Sequence, residues 1–95
     1  MKLEVGRMYL KKEVKTSIKG NDCHMLVKQD GKHLDNFLSR IDDNDELYLK
    51  RIIETECIDP FTGHQGKCKI YVFEVPTEVY EKAMSKKLTR IRRAN

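Results

Sequence analysis

Two β-rich runs separated by a block of turn formers constrain this chain more than any other feature. Residues 46–58 include the β-branched pair Ile52-Ile53 and Thr55. Residues 67–75 end in Lys69-Ile-Tyr-Val-Phe-Glu-Val75, the clearest strand in the sequence. Between them lies Asp59-Pro60-Phe61-Thr62-Gly63-His64-Gln65-Gly66, where no regular element fits. The natural reading is a β-hairpin with a long loop.

Other segments arrange themselves around that hairpin. Residues 3–11 show partial alternation, with Leu3, Val5 and Tyr9 on one face and Gly6 as a candidate bulge. Residues 13–18 alternate more cleanly, Val14, Thr16 and Ile18 against Glu13, Lys15 and Ser17, which predicts a strand. Gly20-Asn21-Asp22 reads as a turn, and residues 23–29 as another strand ended by Asp30-Gly31. Asp-Gly is a hairpin signal. Yet Leu34, Phe37, Leu38 and Ile41 stand at i, i+3, i+4 and i+7, which favours a short helix over 33–41.

The last element is an amphipathic helix after Pro76. Thr77 is placed to cap it, and Glu78 suits the positive end of its dipole. Tyr80, Met84, Leu88 and Ile91 form its apolar stripe, with Ala83 beside them. The expected fold is a single α+β domain over residues 1–95. It has a small curved antiparallel sheet or partly open barrel of about five strands, one short internal helix and the C-terminal helix. Hydrophobic residues are only 39% of the 95, and charged residues are 36%, so the core must be small. A partner or self-association as a homo-oligomer could supply further burial. No run approaches the roughly 20 apolar residues of a membrane span. The charged N-terminus does not resemble a secretory signal, so a cytoplasmic protein with reduced thiols is expected.

Charge is segregated along the chain. Residues 2–19 carry a net +4, residues 20–66 a net −5, and residues 78–95 a net +4. On the predicted C-terminal helix, Lys82, Lys86, Arg90 and Arg93 fall within about 80° of one another, opposite the apolar stripe. One cation per turn, about 5.4 Å apart, can follow a phosphate backbone. Lys11, Lys12, Lys15 and Lys19 could extend that surface, and Phe61 could stack on a base. The plainer account of the row is a solvated face favoured by the helix dipole, and the plainer account of Phe61 is a loop aromatic folded back onto the core. The leading functional expectation is a non-enzymatic, regulatory nucleic-acid-binding module making backbone contacts to DNA or RNA. The alternative is a protein-binding inhibitor or adaptor, including one for an acidic partner, anchored by Phe61 and Tyr48.

Three further groups of residues could carry chemistry. Cys57, His64 and Cys68, completed by Cys23 or His24, could staple the domain with zinc, but the tight Cys-x-x-Cys spacing is missing. Cys57 and Cys68 are more simply small side chains opposite each other on neighbouring strands, and the expected compartment disfavours a disulfide. Asp42, Asp43, Asp45 and Glu46 lack the glycine of a calcium loop and read as a solvated loop that could pair with the basic row. No catalytic motif or cofactor signature is present. A small nuclease built from His24, His33 or His64 would need no motif, because such sites assemble in space.

Overall fold

The computed structural model describes the backbone of residues 2–94 and the side chains up to Ser85. The chain runs through β1 (Met8–Leu10), α1 (Lys11–Ser17), β2 (Cys23–Val27), a short 3-10 turn (Leu38–Arg40), β3 (Glu46–Ile58), β4 (Gln65–Glu74) and α2 (Thr77–Ala94). Among the described residues four strands form one sheet in the order β1-β3-β4-β2, curled into a half-barrel.

The β3–β4 hairpin is the spine of this sheet, as its sequence predicts. Its register runs from Tyr48↔Glu74 to Ile58↔Gln65, with one bulge between Leu49 and Arg51. Below the bulge, Leu47 and Leu49 of β3 share the core with Phe73 of β4, and all three are 0% exposed. β1 is shorter than the alternation suggests and pairs antiparallel with Glu46 to Tyr48. Gly6 N–H donates to Leu49 O and Leu49 N–H to Arg7 O, so the ladder continues past the strand's formal start.

The sheet is mixed, not wholly antiparallel, and has four strands where about five were expected. β2 pairs parallel with β4, from Cys23↔Ile70 to Val27↔Glu74. The physical reason lies in the connection. Residues 28–45 carry the chain across to β3, and the hairpin then returns β4 beside β2 in the same direction.

Residues 13–18 are the missing strand. Residues 13–17 belong to helix α1 and Ile18 caps its end, so the alternation concealed a helical relation. Val14 and Ile18 are i and i+4, and both pack on the core, with Val14 1% exposed. Glu13 fastens the first turn, its Oε1 accepting Leu10 N–H at 2.9 Å.

The helix expected over 33–41 is reduced to the single turn at Leu38–Arg40. The Asp30-Gly31 signal prevails instead. Gly31, at φ 90°, closes a tight turn in which Lys28 N–H donates to Lys32 O, and Leu34 N–H donates to Leu26 O. Leu34, Phe37, Leu38 and Ile41 still reach the core, but from irregular chain. Their spacing records burial and not helix.

α2 closes the core from outside. Ala83 is buried, and Val79, Tyr80 and Met84 pack beside it. Tyr80 stacks on Phe37 with ring centroids 5.5 Å apart, and Lys28 Nζ sits 4.8 Å from the Tyr80 centroid. Thr77 does not act as the expected cap; its hydroxyl donates to Gln29 Oε1 at 2.7 Å and ties the helix start to the 28–33 turn. Leu88 and Ile91 of the expected stripe lie outside the described side chains.

Candidate functional site: the hairpin arm

β1 covers β3 only near its start, and β2 covers β4 only from Ile70 onward. From Glu54 to Lys69 the hairpin therefore continues as a two-stranded ribbon beyond the sheet. A bare ribbon is marginal in water, and two devices hold this one together. Cys57 and Cys68 are joined in a disulfide, with Cα atoms 6.0 Å apart. Opposite charges face each other across the strands, Glu54 with Lys69 and Glu56 with Lys67.

The disulfide corrects the expectation of two unbonded cysteines directly opposite one another. Cys68 faces Thr55, and Cys57 faces Gly66, so the two thiols are diagonal neighbours on one face. Compartment arguments say nothing about that geometry, which is set by the register.

Asp59 builds the tip. Its Oδ1 accepts Phe61 N–H at 2.8 Å and Thr62 N–H at 3.4 Å, and its carbonyl accepts Gly63 N–H at 2.8 Å. Gly63, at φ 73°, turns the chain back, and Asp59 N–H donates to His64 O. Phe61 stands at the apex of this turn, 95% exposed. The expectation that it folds back to cap the core is overturned, because the ribbon carries the loop away from the apolar cluster. Ile58, the last residue of β3 before the turn, is also 65% exposed.

The cationic candidates are distributed differently from the sequence expectation. Lys11 is buried, its Nζ donating to Ile41 O at 2.6 Å and lying 3.9 Å from Asp43 Oδ1. It is a structural cross-brace and no surface contact. Lys82 is held by the acidic loop, at 3.0 Å from Asp42 Oδ2 and 3.3 Å from Asp45 Oδ1. Its hydrogen bonds to Asp42 and then Asp45 raise its pKa above the ordinary lysine value. The same loop accepts the first amides of α1, Lys11 N–H to Asp45 O and Lys12 N–H to Asp43 O. Residues 42–45 thus sit between the start of α1 and α2, where a phosphate would have to approach both. Lys12 and Lys15 remain exposed. The side chains of Lys86, Arg90 and Arg93 lie outside the described residues.

The zinc set does not come together. Cys57 and Cys68 are bonded to each other, Cys23 opens β2, and His64 lies in the hairpin loop. Among the described residues no group of three or more His, Cys, Asp or Glu side chains could hold a metal ion. His24 and His33 border one small cleft of about 220 Å³ with Asp35 and Asn36. His33 Nδ1 lies 3.2 Å from Asp35 Oδ1, and partial burial lowers the pKa of His24. Tyr48 is half-buried beside Met8 and makes a poor anchor.

The sequence named Phe61 as a candidate anchor, but not the projecting arm that exposes it. The arm's signal was present in Phe61, a large apolar residue set among turn formers that leave it nowhere to hide. Among the described residues no helix is long and apolar enough to cross a membrane. The chain matches no protein-family model, no curated protein and no solved structure.

Proposed function

We propose that this chain is a protein-binding module that docks through the tip of its hairpin arm, with Phe61 as the anchor. The observation that carries the reading is the 95% exposure of Phe61 on a turn organised by Asp59. Burying such a ring in a partner's pocket is worth roughly 1.5–3 kcal/mol. A tip already ordered by its own hydrogen bonds loses little entropy on binding, so more of that gain appears as affinity. The ribbon's charges cancel across the strands, which suits a partner surface with an apolar pocket and a rim of mixed polarity.

A polyanion contact is the second reading. It draws on exposed Lys12 and Lys15 and on the basic sequence of residues 86–93. The bonds that tie Lys11 and Lys82 to the 41–45 segment weigh against it.

A pull-down from the source cells, with and without nuclease, separates the two. The expected result is a captured protein that survives nuclease and is lost with Phe61→Ala. That variant should change folding stability by no more than about 0.5 kcal/mol, because it touches no core. Capture that vanishes with nuclease, or that ignores Phe61→Ala, overturns the docking reading.

A further inference from the structure

The strand order aligns all three cysteines. Cys57 is on β3, Cys68 on β4 and Cys23 on β2, and these strands are consecutive neighbours in the sheet. All three side chains leave the same face. Cys23 pairs with Ile70, which shares its face with Cys68 two residues earlier, and the disulfide fixes Cys57 on that face too. Cys68 is therefore central, with its bonded partner on one side and an exposed free thiol on the other.

We propose that this row is a thiol–disulfide exchange site, in which Cys23 takes over Cys68 from Cys57. The Cys23 thiolate attacks Cys68 Sγ, forming the Cys23–Cys68 bond, and Cys57 leaves as a thiolate that takes up the proton Cys23 lost. One S–S bond forms and one breaks, so no oxidant or reductant is consumed. The nucleophile and leaving group lie on opposite sides of the sulfur under attack, as displacement requires. Strand spacing and rise put the Cys23 and Cys68 Cα atoms roughly 8 Å apart, a little beyond the about 6.8 Å that a disulfide spans. The shortfall of an ångström or two falls on the first residue of an edge strand, which follows the turn at Gly20. Lys69 N–H donates to Asp22 Oδ1 at 2.8 Å and keeps that strand start beside β4. Exchange replaces a link within the arm by one that ties the arm's Cys68 to β2 of the body, leaving the two ribbon strands held to each other by backbone and charge pairs. The inference is independent of what the arm docks to, and its test needs no partner.

The full chain is held at pH 8 without reductant, quenched with acid at intervals, and its free thiol alkylated and mapped by mass spectrometry. The expected result is label that begins on Cys23 and moves in part to Cys57, much faster at pH 8 than at pH 5. Label that stays on Cys23 alone overturns the proposal. Two variants sharpen it under oxidised glutathione. Cys57→Ser should close a Cys23–Cys68 bond at least about tenfold more than Cys68→Ser closes Cys23–Cys57, because the fold raises the effective concentration of only the first pair. Equal closure, or glutathione adducts alone in Cys57→Ser, also overturns it. Repeating both reactions in urea should erase the difference.

Discussion

The two halves of the β3–β4 hairpin are built by different physics, although they are the same two strands. In the body, Leu47, Leu49 and Phe73 are fully buried and packed with β1, β2 and the helices. In the arm, Glu54, Thr55, Glu56 and Lys67 are exposed, and order comes from a disulfide, facing charges and an aspartate-organised turn. The body is held by burial that extends across the sheet, and the arm mainly by contacts with the opposite strand, with Lys69 N–H to Asp22 Oδ1 tying its base to the start of β2. A chain with a small core can therefore still present a shaped projection, provided local devices replace the core there.

That contrast can be broken from either side. The largest effect is expected in the body. Phe73→Ala should cost about 3–5 kcal/mol by urea unfolding, since the ring is 0% exposed and the core around it can relax only in part. Removing the staple comes next. Cys57→Ala with Cys68→Ala removes a cross-link whose typical worth is about 2–4 kcal/mol. If the arm is locally held, hydrogen exchange should accelerate at residues 54–69 while protection at Leu49 and Phe73 stays. Uniform acceleration would show one cooperative unit instead. Lys11→Met leaves Ile41 O without its donor and should cost about 1–3 kcal/mol in thermal unfolding.

The smallest effect concerns Lys82. Its pKa is raised in the folded state, so its favourable contribution is fully present below the unfolded value and is lost as pH rises through the folded one. Stability should therefore fall slightly more steeply at strongly alkaline pH in the wild type than in Lys82→Gln. Because the pair is exposed, salt should shrink the difference.

Legibility followed how local each signal was. The hairpin could be read because strand composition and turn formers lie side by side in the chain. α2 could be read because Tyr80, Ala83 and Met84 repeat on one face. α1 could not, because a seven-residue helix with two inward residues shows the same letters as a short strand. The 33–41 segment misled for the converse reason: four apolar residues at helical spacing can reach one core from a turn and a loop. Phe61 was legible as an oddity, but whether it turned in or out depended on how far the ribbon ran beyond the sheet.

By itself, the sequence determined the β-hairpin, a strand within residues 23–29, the closing helix and the clustering of charge, because each depends on residues close together in the chain. Only the tertiary structure decided that β2 lies parallel to β4, that Lys11 and Lys82 are committed to residues 41–45, and that three cysteines line one face. Those facts join residues that the chain separates by about 30 positions or more in most cases, and no local preference carries the register or strand order that brings them together.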